Sequence, residues 1–130
     1  MAIKPATQQD TETLIFANGF PSSYLWWHSI ESDGWERADK SPFHAPDGWV
    51  YVVTAENPDD ENTPVEKRID HAAIMKAART ISAKEFKASG AIKKAARDMQ
   101  LNAENCAHEI DSTIADAVLQ VAVYGAIVYP

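Results

Sequence analysis

The sequence predicts an α+β fold, a small three-stranded antiparallel sheet with three to four helices packed on one face. Two observations lead to this class. The first half contains runs rich in β-branched and aromatic residues, joined by short links that favour antiparallel neighbours. The second half spaces its apolar residues three and four apart, as amphipathic helices do. A length of 130 residues fits one domain over residues 1–130, in which the polar residues 1–9 are expected to be flexible.

The N-terminal half is expected to begin with one short element and to continue with three strands. Asp10 is a suitable N-cap for a short helix, although Thr13–Ala17 would also suit a strand. Alternating and β-branched patterns then predict strands over 24–31, 49–55 and 64–69. Turn-forming residues separate these runs, which supports a meander.

The chain then changes to a helical period. Asp70 is expected to cap a helix whose apolar stripe runs through residues 74–81. Ser82 is expected to cap a second stretch, which Gly90 interrupts before the stripe restarts over residues 92–99.

The last predicted helix begins at Asp111 or Ser112 and ends at Gly125, a residue type common at helix ends. Residues 126–129 then form a short apolar tail. Helix and strand remain alternatives for that tail.

Charge is distributed unevenly along this acidic chain, which has a formal net charge of −7 and a pI of about 4.9. Residues 1–62 carry three bases and eleven acids, a balance of −8. Residues 63–101 carry nine bases and four acids, a balance of +5, and residues 102–130 carry four acids and no base. The blocks predict two electrostatic faces if they separate in space, with ordinary solvated helix faces as the alternative.

The basic segment provides one candidate binding surface. Its Lys and Arg residues lie beside the predicted apolar stripes, where they could contact phosphates of a nucleic acid. The residues that would form such a surface are Lys76, Arg79, Lys93, Lys94 and Arg97.

Aromatic residues provide a second candidate surface. Trp26 and Trp27 are consecutive in a predicted strand and therefore point to opposite faces, so one of them is expected under another segment or in an interface. Tryptophan is enriched at the centres of protein interfaces. The protein-interaction residues proposed on this basis are Trp26, Trp27, Trp35, Tyr124 and Tyr129.

No catalytic signature is evident in the sequence. Phosphate-binding glycine loops, a Gly-x-Ser-x-Gly elbow and a His-Glu-x-x-His zinc helix are missing. Cys106, His108, Glu109 and Asp111 are metal-ligand types, but no second pair of ligands accompanies them. We therefore expect no enzymatic activity, no catalytic residue, no cofactor and no metal.

Four segments together resemble a known group of proteins. They are residues 26–30, 49–55, 57–62 and 115–129, in that order and spacing. The pattern resembles small uncharacterised proteins encoded by phages and integrated elements of actinobacteria. The resemblance implies an accessory protein that acts inside the bacterial host, and it assigns no functional residue.

The cytoplasm is the expected location. No apolar run approaches the ~18 residues that a membrane helix needs. The start of the chain lacks the apolar core of a secretory signal, and one cysteine cannot form an internal disulfide.

The sequence thus favours a non-enzymatic phage-type accessory protein that acts through protein–protein interaction. Its partner would be a host protein that it binds or inhibits, a phage protein, or its own copy, without a membrane. A variant of this hypothesis makes the acidic N-terminal half a mimic of nucleic acid. The alternative is a nucleic-acid-binding protein that uses the basic segment 67–97.

Overall fold

Strands and helices follow one another in the order that the sequence predicts. The computed structural model describes residues 3–17, 26–36 and 45–129. Its elements are α1 (Gln8–Glu12), a π-helical turn (Thr13–Ala17), β1 (Trp27–Ser32), β2 (Val50–Ala55), β3 (Val65–Asp70), α2 (His71–Ser82), α3 (Gly90–Leu101), a 3-10 turn (Ala103–Asn105), α4 (Cys106–Glu109) and α5 (Ser112–Tyr124). The α+β class and the three-stranded antiparallel sheet are confirmed.

The sheet has the order β1-β2-β3, with β2 in the centre. Tyr51, Val53 and Ala55 on β2 are buried, whereas the residues between them are half-buried. This two-residue period arises because successive side chains of a strand point to opposite faces. The buried side, here called the inner face, packs against the helices.

Helix α5 lies at the centre of the helical layer. It is buried on nearly every side because it packs against α2, α3, the π-helical turn and the sheet. By contrast, α2 and α3 each bury a single stripe and expose charged residues on the other side. The buried residues of α5 are Ile114, Ala115, Ala117, Val118, Leu119, Gln120, Val121 and Val123.

The N-terminal element is a helix, and the alternative of a strand over Thr13–Ala17 is wrong. Asp10 is not its N-cap: Thr7 holds that position, and Asp10 completes a capping box three residues later. The helix widens into the π-helical turn, which places the Phe16 ring 4.0 Å from the Tyr51 ring. Residues 4–6, within the segment expected to be flexible, make backbone hydrogen bonds to residues 99–103.

Helix caps account for most boundaries in the second half. Asp70 and Asp111 cap α2 and α5 as predicted, and Gly125 ends α5 with a left-handed φ of 79°. The expected helical stretch from Ser82 is wrong, because α2 ends there and Ser89 caps α3. Gly90 therefore begins a helix rather than interrupting one.

Two further predictions concern segment ends. The strand predicted over 24–31 is observed from Trp27 to Ser32, and residues 24 and 25 lie outside the described residues. The tail over residues 126–129 is neither helix nor strand. Its backbone is instead held by the buried side chain of Gln120, which accepts hydrogen bonds from the amides of Val128 and Tyr129 and donates one to the Tyr129 carbonyl.

Candidate partner-binding groove at the edge of the sheet

Trp26, the first of the aromatic residues proposed for protein interaction, is fully buried. Its indole Nε1 donates to Asp116 Oδ1 at 2.6 Å, and its ring centre lies 5.7 Å from that of Tyr124. Both partners belong to α5. Trp26 therefore packs the start of β1 against helix α5.

Trp27 is also buried, which contradicts the expectation that consecutive tryptophans must face opposite sides. Trp26 precedes β1, which begins at Trp27, and the register of β1 shifts between Trp27 and Ser29. This β-bulge places Trp27 opposite Ala55, and paired residues share a face. Both tryptophans thus belong to the same hydrophobic core.

The other three aromatic candidates are half-buried and contact the core. The Trp35 indole donates to the Val50 carbonyl at 3.1 Å. Tyr124 donates its hydroxyl to the Glu56 carbonyl at 2.5 Å and contacts the Tyr129 ring at 5.9 Å. Burial, with the nearby Tyr129 and Glu56, raises the pKa of Tyr124 to about 12. These side chains hold the fold together and do not form one exposed patch.

Two of the five predicted nucleic-acid residues have partners within the protein. Lys93 donates its Nζ to the carbonyls of Ile81 and Ala83, at 3.0 and 2.9 Å. Lys94 forms ion pairs with Asp98 and Glu109, and these hydrogen bonds raise the pKa of Lys94. The carboxylates neutralise the charge of Lys94, and the two carbonyls hold the Lys93 ammonium group at the end of α2.

The remaining three basic candidates are exposed but are not gathered into one site. Arg97 lies with Lys93 and Lys94 around a shallow depression of 340 Å³ near the start of α3. Lys76 lies elsewhere, in a groove with Lys67, and Arg79 lines neither cavity. The structure therefore divides the predicted basic surface.

The groove that contains Lys76 lies beside the sheet. It has a volume of 360 Å³ and lies between β3, α2 and the last turn of α5. Its floor is formed by small apolar side chains, among them Ala73, Ala77 and Val121, and its rim carries Lys67 and Lys76. We call it the edge groove. No carboxylate occurs in its lining as far as the structure describes it.

Lys67 is a charged residue of the edge groove that was not among the site residues predicted from the sequence. It pairs with Val53, whose side chain is fully buried, so Lys67 belongs to the inner face of the sheet. The signal was available in the alternation of β3, which places Lys67 on the same side as Val65 and Ile69. A lysine at that position is unusual because its inner-face neighbours Val53, Val65 and Ile69 are apolar.

The edge groove lies next to an open sheet edge. Among the described strands, β3 pairs with β2 alone. On the other side, no described residue forms a backbone hydrogen bond with residues 65–69. An unpaired edge presents a row of amides and carbonyls that can accept a further strand.

The cysteine and the potential metal ligands of the described residues are not gathered into one site. Cys106 is buried beneath α3, and burial, aided by Asp98 and Glu109, raises the pKa of its thiol to about 12. A thiol with that pKa is a poor nucleophile at neutral pH. Within residues 3–17, 26–36 and 45–129, no three His, Cys, Asp or Glu side chains are grouped as a metal would require. None of the helices described there is long and apolar enough to cross a membrane.

Comparison of the chain with protein-family models, curated proteins and solved structures finds no match.

Proposed function

We propose that this protein is a non-catalytic interaction protein that binds an extended segment of a partner protein along the free edge of β3. The observation that carries the proposal is the open edge lying beside the edge groove with its two lysines. In the setting that the sequence resemblance implies, the partner is a host or phage protein in the bacterial cytoplasm.

Strand addition explains how such an edge would bind. A fourth strand would form main-chain hydrogen bonds with the unpaired amides and carbonyls of residues 65–69. These bonds supply affinity that does not depend on the partner's side chains. Every second side chain of the added strand would then point over the edge groove. Apolar side chains there would contact Ala73, Ala77 and Val121.

Cross-strand pairing defines the chemistry of the partner. On the inner face, Val65 and Ile69 favour apolar residues opposite them, and Lys67 favours a carboxylate. On the outer face, Glu66 favours a base and Arg68 an acid. An antiparallel segment of the type Val-Asp-Glu-Lys-Val meets all five requirements.

Lys67 and Lys76 make this region locally positive on a chain with a net charge of −7. Such a patch steers an acidic segment towards the groove and repels a basic one. Lys67 forms no ion pair with a described residue, and neither does Lys76. Both ammonium groups are thus available to a partner.

The test uses a labelled peptide, Thr-Val-Asp-Glu-Lys-Val-Thr, and a second peptide in which the central Glu is replaced by Lys. We expect the acidic peptide to bind the wild-type protein at least about tenfold more tightly, a preference that weakens with salt. Fluorescence anisotropy measures both affinities.

Lys67→Glu should reverse the preference, since its carboxylate then favours the Lys-centred peptide. Lys84→Glu is the matched control, because Lys84 is exposed in the turn after α2 and lies outside the edge groove. Equal binding of the two peptides, or no binding of either, refutes the proposal.

Nucleic-acid binding receives less support from the geometry. Lys93 and Lys94 are engaged within the protein, and Arg79 and Arg97 do not share a cavity with Lys76. A salt-dependent shift with duplex DNA that Arg97→Ala abolishes would favour that alternative instead.

A further inference from the structure

Strand β3 is nearly complementary to itself. Consider two copies that join their free β3 edges as antiparallel strands around a two-fold axis at residue 67. Val65 of one copy then faces Ile69 of the second copy, and Glu66 faces Arg68 of the second copy. Both kinds of pair are favourable, and each occurs twice.

Other registers that preserve the inner face are less favourable. Moving the axis to residue 68 places Arg68 opposite its own copy and Glu66 opposite Asp70. Moving it to residue 66 places Glu66 opposite its own copy. Like charges directly opposite each other destabilise a pair of strands. The register centred on residue 67 is therefore the best available to a second copy.

That register has one unfavourable contact. Lys67 lies on the axis, so its ammonium group would face the same group of the second copy on the inner face of the joined sheet. The edge groove offers no carboxylate to neutralise the two charges. An inward-pointing charged residue is one of the devices by which proteins prevent association of sheet edges.

We infer that Lys67 is a specificity-determining residue that prevents β3 from pairing with a second copy and reserves the edge for a strand with a carboxylate opposite it. The inference rests on the proposed binding of a partner at this edge. It explains why a single lysine interrupts the apolar side of an otherwise self-complementary strand.

The experiment replaces Lys67 by valine in the full chain and measures the oligomeric state by sedimentation equilibrium over a range of concentrations. We expect the wild-type protein to remain monomeric and Lys67→Val to dimerise, with a dissociation constant at least about tenfold lower. Lys87→Val is the control, because Lys87 is exposed in the loop before α3 and lies outside the edge groove. That variant adds the same apolar surface and should remain monomeric.

A second variant ties the dimer to the predicted register. Adding Glu66→Arg to Lys67→Val places Arg opposite Arg on both sides of the axis, so dimerisation should be lost. If Lys67→Val stays monomeric, or if the double variant dimerises equally well, the inference is wrong. Dimerisation of Lys67→Val without peptide binding by the wild-type protein would refute the proposed function, and with it the role of Lys67 in partner selection, but it would support the role of Lys67 in preventing self-pairing.

Discussion

The two flanks of the sheet are covered in opposite ways. Near β1 and β2, the inner face is filled by large aromatic residues: Phe16, Trp26, Trp27, Trp49 and Tyr51 are all buried. Near β3, the corresponding space is lined mainly by small side chains, together with Tyr124, and has two lysines at the rim. One flank is closed, and the other contains the edge groove.

This difference separates stability from binding. Aromatic side chains bury the most area and form specific ring contacts, such as the stacking of Phe16 on Tyr51. Small side chains leave the edge groove open. A lysine with no carboxylate beside it makes this groove selective for acidic segments. We therefore expect substitutions on the aromatic flank to affect folding and substitutions on the β3 flank to affect partner binding.

The largest expected effect comes from Trp26→Ala on the aromatic flank. The change removes a fully buried ring and leaves Asp116 Oδ1 without its indole donor. We expect the free energy of unfolding to fall by about 3–5 kcal/mol, measured by urea denaturation. The matched change on the other flank, Lys67→Ala, should alter it by no more than about 0.5 kcal/mol. Similar losses in the two variants would remove the distinction between the flanks.

An intermediate effect is expected from filling the edge groove. Ala73→Leu adds apolar bulk to its floor and should weaken binding of the acidic peptide by about tenfold, equal to about 1.4 kcal/mol. Ala72→Leu is the control, because Ala72 is exposed on the same helix and does not line the groove. Both variants should unfold at nearly the same urea concentration. Equal affinity in the two variants would show that the partner does not use this groove.

The smallest expected effect concerns His71. This residue begins α2 and contacts α1, with 2.9 Å between His71 Nδ1 and Thr11 Oγ1. Burial lowers the pKa of His71 below 6.5, against the opposing influence of Asp70 and Asp10. His71 therefore binds a proton more readily in the unfolded chain than in the folded protein. The free energy of unfolding consequently decreases as the pH falls from the unfolded pKa through the folded pKa. Urea denaturation should show stability decreasing from about pH 7 to about pH 5, with a shallower slope in His71→Gln. An identical slope in that variant would assign the pH dependence to other groups.

Much of the fold could be predicted from local patterns. The strands and the helices that begin after Asp70 and Asp111 follow from side-chain period and capping chemistry, which are properties of short segments. The β-bulge at Trp27 could not be predicted in this way, because it depends on how β1 aligns with β2. Strict alternation along the sequence, which ignores the bulge, predicts that either Trp26 or Trp27 lies outside the core.

The candidate site was less accessible to sequence reasoning. Lys93 and Lys94 have the composition of a phosphate-binding surface, but their partners Ala83 and Glu109 reach them only through the packing of α3 against neighbouring segments. Lys67 carried a visible signal in the alternation of β3. Its importance emerged from the sheet order, which leaves β3 at an edge.

Amide hydrogen exchange with and without the acidic peptide tests most directly whether a partner binds as a strand at the free edge of β3. If the partner adds as a strand, the outward-pointing amides within residues 65–69 should become protected, while the amides of β2 should change little because β3 already pairs with them. We expect this localised protection in the wild-type protein and its loss in Lys67→Glu. Protection confined to α2 and α3, with none on β3, would contradict it.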